Sequence, residues 1–114
     1  MITIKAYTDI EQSRKLAEIL PIETSDMIYT MTNGYHTPFV RIEKVNELYE
    51  DDVCAWSLAA LLSVLPEIQG GKPMIALDDN YITYPHINDL HTKADNLIDA
   101  CVEMIIRLHE QNLL

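Results

Sequence analysis

The stretch Thr92-Lys-Ala-Asp-Asn-Leu-Ile-Asp-Ala-Cys-Val-Glu-Met-Ile-Ile-Arg-Leu-His-Glu110 carries the clearest periodic signal in the chain. Ala94, Leu97, Ile98, Cys101, Ile105 and Leu108 recur at three- and four-residue spacing, with Val102 widening the stripe, which places them on one face of an amphipathic helix. Thr92 stands where a side-chain oxygen can cap the first turn. Asp95 follows near the positive end of the helix dipole, and Arg107 and His109 fall in the last turn, where cations are favoured. The spacing predicts a helix over 92–110 with its apolar face on a core and Asp99, Glu103 and Glu110 turned outward.

The segment before this helix supplies something for that face to cover. Met74 to Tyr84 reads as a hairpin. With Asp79-Asn80 as a two-residue turn, Leu77 faces Ile82 and Ile75 faces Tyr84, which collects four apolar side chains on one side of the sheet; a three-residue turn would scatter them. Pro85 closes the second strand. Upstream, Val53 to Pro66 is rich in alanine and leucine and reads as a helix that is apolar nearly all round, capped by Ser57 or an upstream Asp and ended by Pro66. Trp56 at its start is a core or interface anchor whose indole N–H needs a partner once buried.

Nearer the N-terminus, Asn33-Gly34 between Met27–Thr32 and Tyr35–Ile42 is a strong hairpin signal, because both turn residues tolerate positive φ. Pro38 in the return limb cannot donate to a ladder, so it puts that strand at an edge or interrupts it. Thr8 and Glu11 make a Thr-x-x-Glu capping box for a helix over 9–20 that Pro21 stops. Ile2, Ile4 and Ala6 alternate with polar residues, which suggests a short initial strand. The order is strand, helix, hairpin, helix, hairpin, helix. We read it as one α+β domain over 1–114, a small antiparallel sheet of two hairpins packed on two or three helices, with the C-terminal helix across the sheet.

Composition narrows the function classes. The 114 residues are 48% hydrophobic and 23% charged, as in an ordinary globular chain, and no apolar run approaches the ~20 residues that span a bilayer. The N-terminus lacks a basic region followed by an apolar run, so the expected compartment is cytoplasmic and no membrane partner is expected. Cys54 and Cys101 sit in apolar helical contexts and read as buried thiols. The net charge of −10 disfavours direct contact with nucleic acid and favours a partner with a basic surface. Glu43, Glu47, Glu50, Asp51 and Asp52 stand against Lys44 alone in the ten residues 43–52. That run is either a solvated connection that keeps the protein soluble or a docking surface for something basic.

Tyr7-Thr-Asp-Ile-Glu-Gln-Ser with Lys15-Leu-Ala-Glu, Ala55-Trp-Ser-Leu-Ala-Ala-Leu-Leu, and Asp99-Ala-Cys-Val-Glu-Met-Ile-Ile-Arg-Leu-His resemble a group of small uncharacterised proteins encoded by bacteriophages and mobile elements of gut bacteria. The resemblance covers both ends and the middle helix, through caps and core positions. It implies an origin, and no activity, cofactor or site residue comes with it.

Three functional readings follow. The leading one is a non-enzymatic interaction domain that engages a basic host or phage protein through Glu43, Glu47, Tyr49, Glu50, Asp51 and Asp52, with Tyr35 at the first hairpin tip as a further contact. The second is a small metal-assisted hydrolase in which His86, Asp89 and His91, with Asp78 and Asp79 at the neighbouring turn, supply nitrogen and oxygen ligands. The five-residue separation of the histidines matches no helical ligand pair, no Gly-x-Ser-x-Gly elbow surrounds Ser57, and neither cysteine lies in a Cys-x-x-Cys pair. No cofactor is indicated. The third is a structural subunit that self-associates, as a homodimer for example, through a sheet edge or the Trp56 region.

Overall fold

The computed structural model of the protein describes residues 5–41 and 50–114. It is an α+β structure with two small antiparallel sheets and three helices. Chain order is α1 (Ile10–Ala17), β1 (Met27–Thr32), β2 (Tyr35–Val40), β3 (Val53–Ala55), α2 (Leu58–Val64), β4 (Met74–Ala76), β5 (Tyr81–Thr83), β6 (His91–Lys93) and α3 (Leu97–Glu110). Each hairpin seeds its own sheet and gains a third strand, giving the orders β2-β1-β3 and β4-β5-β6.

The first hairpin forms as its sequence predicts. Thr32 pairs with Tyr35 across Asn33 and Gly34, which take φ of 52° and 85°. These left-handed values match the twist of the flanking strands and are open to asparagine and glycine. Pro38 lies opposite Tyr29 on the edge strand. β3 completes this sheet on the other side of β1, through Met27–Ala55, Ile28–Cys54 and Tyr29–Val53. Cys54 is therefore in a strand rather than at the start of a helix. Pairing with β1 satisfies backbone groups that helical propensity alone would have placed in α2.

Ser57 caps α2 by accepting the Ala60 N–H at 3.2 Å. Its own N–H and hydroxyl are donated to Asp26, the backbone bond at 2.8 Å. Ala60 and Leu61 are buried while Ala59 and Ser63 are exposed, so the helix buries one side and part of a second rather than its whole circumference. Trp56 is completely buried, and its indole N–H finds the Thr24 hydroxyl at 2.9 Å.

Three local expectations are displaced by tertiary contacts. The capping box of α1 is formed by Asp9 and Gln12, one residue later than the Thr8/Glu11 pair. Thr8 is buried, shares a hydrogen bond with the Ser13 hydroxyl at 2.8 Å and accepts the Trp56 N–H at 3.1 Å, which removes it from capping. The last helix starts at Leu97 under an Asn96 cap, not at Thr92. His91, Thr92 and Lys93 instead become β6, and the Thr92 hydroxyl donates to the Ala100 carbonyl at 2.8 Å. In the second hairpin Ile75 pairs with Ile82 and Met74 with Thr83, across a four-residue turn that contains a 3-10 segment, Leu77–Asp79. This register differs by two residues from the two-residue turn. It leaves Ile75, Ile82 and Tyr84 on the same face, because a shift of two preserves the alternation. Leu77 is released into the turn and is exposed.

Of the proposed initial strand, Ile2 and Ile4 lie outside the described residues. Lys5 and Ala6 are not in a strand, and Tyr7 makes an isolated antiparallel bridge with Ser57. The core lies between α3, α2 and the inner side of β5. Ile82, Tyr84, Leu90, Ile98, Cys101, Met104, Ile105 and Leu108 are all buried there, continuous with Leu16 of α1, Trp56 and Leu61. Cys54 and Cys101 are free, buried thiols.

Candidate functional site

The end of the acidic run, Glu50 to Asp52, lines an open cleft of about 360 Å³ beside the first sheet. Glu50, Asp51, Asp52, Val53 and Cys54 form one side. The other comes from elsewhere in the chain: Arg14 and Ala17 from α1, Ile22 from the 3-10 turn that follows it, and His36 from β2.

Each wall has a local cause. Pro21 stops the first helical segment and Thr24 turns the chain back by bonding the Pro21 carbonyl at 2.6 Å. Arg41, just past β2, donates from Nη1 to the Ile22 carbonyl at 2.8 Å and the Ser25 hydroxyl at 2.9 Å, so the turn is tied to the sheet. His36 donates from Nε2 to the Asp51 carbonyl at 3.2 Å, which ties the acidic segment to the hairpin. Among the described residues the cleft brings Glu50, Asp51 and Asp52 together with the cation Arg14 around an apolar surface of Ala17, Ile22 and Val53.

This geometry sorts the residues singled out in the sequence. Glu50, Asp51 and Asp52 line the cleft together. Glu43, Glu47 and Tyr49 lie outside the described residues. Tyr35 is 77% exposed, stands one residue before His36 on the opposite face of β2 and does not line the cleft. Arg14, Ala17, Ile22 and His36 had no signal in the sequence, since each is distant from the acidic run and none belongs to a motif.

The candidate metal loop is divided by the topology. Asp78 and Asp79 sit in the turn before β5, whereas His86 and Asp89 sit in the loop after it, at opposite ends of the strand. The His86 Nε2 donates to the Ile68 carbonyl at 2.5 Å, and the ring packs so closely on Gly71 that a Cβ there would collide with it. His91 rests against Tyr81, ring centroids 5.8 Å apart. Asp89 occupies a left-handed turn position with φ of 58°. Among the described residues, no three His, Cys, Asp or Glu side chains are grouped so that they could hold a metal ion. Ser57 is engaged as a helix cap, and burial pushes the Cys101 thiol up to about 12, far from a thiolate at neutral pH.

A second polar cluster joins the N-terminal segment to two helices. The Lys5 ammonium donates to Asp99 and Gln12, both at 2.8 Å, and to Asp9 at 3.2 Å. Asp99 also accepts from Gln12 at 2.7 Å and Asn96 at 2.9 Å. Burial of Asp99 raises its pKa, but the bonds from Lys5, Gln12 and Asn96 outweigh burial and hold it below the ordinary carboxylate value. Its partners are all internal, which makes it a clasp between α1 and α3. Nearby, Tyr29 donates its hydroxyl to the Thr8 carbonyl at 2.7 Å, and burial pushes its pKa up to about 12.

No protein-family model, curated protein or solved structure matches the chain. No helix among the described residues is long and apolar enough to cross a membrane.

Proposed function

We propose that the protein is a non-enzymatic interaction domain that takes a basic segment of a host or phage protein into the cleft bounded by Glu50, Asp51 and Asp52. The observation that carries this reading is the pairing of three carboxylates with an apolar surface of Ala17, Ile22 and Val53 in one concavity. A lysine or arginine has a methylene stem for the apolar surface and a cationic head for the rim. Charge complementarity of this kind acts mainly on specificity and association rate. The net charge of −10 extends the same preference over the whole surface and opposes nucleic acid. The choice of a host or phage protein rests on the resemblance of the helical segments to phage and mobile-element proteins.

Two measurements test the proposal. Titration of the protein with an arginine-rich peptide, followed by amide chemical shifts, should move the signals of residues 50–54, Ala17 and His36. The affinity should fall several-fold as the Debye length shortens from about 30 Å at 0.01 M salt to about 8 Å at 0.15 M. Capture from a host lysate with the wild type and with the Glu50→Lys/Asp51→Lys variant should then yield a basic protein retained by the first and lost by the second. Binding that is indifferent to salt and to both substitutions would end this reading.

A further inference from the structure

Histidine is the side chain whose charge ordinarily changes between about pH 5 and 8. Of the four histidines, His36 alone lines the cleft. His86 and His91 belong to the second sheet and its loop, and His109 to the last turn of α3. Strand alternation accounts for the placement: His36 stands opposite Met31 of β1 on one face of β2, with Tyr35 on the other. The ring is half-buried.

Its hydrogen bond decides where a second proton enters. The Asp51 carbonyl can only accept, so Nε2, 3.2 Å away, carries the proton of the neutral ring and Nδ1 keeps a lone pair. Protonation therefore occurs at Nδ1 and leaves the Nε2–H bond to Asp51 in place, because both nitrogens of an imidazolium donate. The tie between β2 and the segment leading into β3 survives, and only the charge changes. Facing the ring across the cleft are the carboxylates of Glu50, Asp51 and Asp52 from the segment before β3, the guanidinium of Arg14 from α1 and the thiol of Cys54 from β3. Ile22 of the turn and Met31 of β1 bring no titratable group. Among the described residues the cleft's formal charge is −2 with the ring neutral and −1 with it protonated, so one proton halves the field offered to a cation.

We propose, resting on the cleft reading above, that His36 makes the cleft pH-sensitive: it takes a basic segment at neutral pH and releases it in mild acid. An imidazolium and a bound lysine or arginine head compete for the same three carboxylates and repel each other. Proton and partner then bind against one another, each weakening the other by the same factor. Because the Asp51 bond is kept in both states, the sensor acts through charge and leaves the fold of the cleft unaltered.

The test is a titration with an arginine-rich peptide, free of histidine and carboxylate and blocked at both ends, at about pH 7.5 and about pH 5.5 and one ionic strength. Carboxyl, thiol and guanidinium groups as classes titrate outside this window. The wild type should bind several-fold more weakly at the lower pH. His36→Gln, which has no charge at either pH, should show a ratio near one, each variant serving as its own reference. His36→Lys, charged at both, should also show a flat ratio. His91→Gln, away from the cleft, should keep the wild-type ratio, which separates His36 from general charging of the surface. Matching far-ultraviolet circular dichroism spectra at the two pH values confirm that the fold is unchanged. Peptide binding at neutral pH with equal affinity in acid overturns the proposal and leaves the cleft reading standing, and so does a loss in acid that His36→Gln retains in full. Absence of binding at either pH ends the cleft reading and the sensor with it.

Discussion

Each sheet is a hairpin with a third strand added, on the first strand of the hairpin in one and on the second in the other, yet one is embedded and the other stands out from the body. In the second sheet, Ile82 on the middle strand and Tyr84 just beyond it are fully buried against the face of α3. In the first, only Tyr29 of the twelve residues of β1 and β2 is buried, and Met31, Tyr35, Phe39 and Val40 are exposed. The difference lies in the helix available to each. The fourteen-residue α3 brings a wide apolar stripe to β5 and β6, while the eight-residue α1 has one fully buried leucine, Leu16, and meets the sheet at β3. A sheet with a broad helical cover becomes core; a sheet covered along one strand keeps exposed side chains and an open cleft beside it.

Substitutions can break this comparison. Ile82→Ala should lower unfolding free energy by about 2–5 kcal/mol in urea denaturation, because its surroundings are close-packed on every side. Phe39→Ala on the exposed hairpin should cost less than about 1 kcal/mol. Equal costs would show that the first hairpin is as much part of the core as the second.

A smaller effect probes how the second sheet's return loop is held. Gly71→Ala forces a methyl group into the His86 ring and should destabilise by about 1–3 kcal/mol. In the background of His86→Ala the same change should be nearly silent, since the obstacle is gone and Gly71 has no positive-φ requirement. A persistent cost in the double variant would trace the effect to the backbone instead.

A pH-dependent effect is expected at the clasp that ties α1, beside the cleft, to α3. Asp99→Asn should cost on the order of 1 kcal/mol at neutral pH, discounted for the partial exposure of the cluster. The folded pKa of Asp99 is below its ordinary 3.8, so its contribution is complete above that value and is lost as pH falls through the folded one. Burial of Lys5 opposes its charge, but the bonds and charges of Asp99 and Asp9 prevail and raise its pKa above 10.5. Its contribution is present below 10.5 and is lost as pH rises through the folded value. The stability gap between wild type and Asp99→Asn should therefore close in acid, followed by urea midpoints across pH. A gap that persists at the acid end would assign the loss to packing rather than to the ion pair.

Legibility in the sequence followed the range of the interactions. The Asn33-Gly34 turn, the edge position of Pro38, the Ser57 cap and the apolar stripe of α3 were readable because each is set by neighbours a few residues away. Thr8 and Thr92 were misread as caps for a common reason. A threonine hydroxyl serves a cap, a buried bridge or a strand equally well, and in both cases the deciding partner, Trp56 or Ala100, lies elsewhere. Within the candidate site the carboxylates of 50–52 stood out by composition. Arg14, Ile22 and His36 did not, because a cleft between a helix, a turn and a strand leaves no spacing in the chain.

By itself the sequence determined the α+β class, the three helices, the two hairpins and the acidic character, since periodicity, turn chemistry and charge are properties of short segments and of sums. Only the tertiary structure decided that the hairpins seed separate sheets, that 91–93 complete a strand before the last helix begins, and that Asp78 and His86 stand at opposite ends of β5. Those outcomes depend on which backbone groups find partners across the chain. A buried donor or acceptor must be satisfied wherever its partner lies, and that requirement overrides local preference.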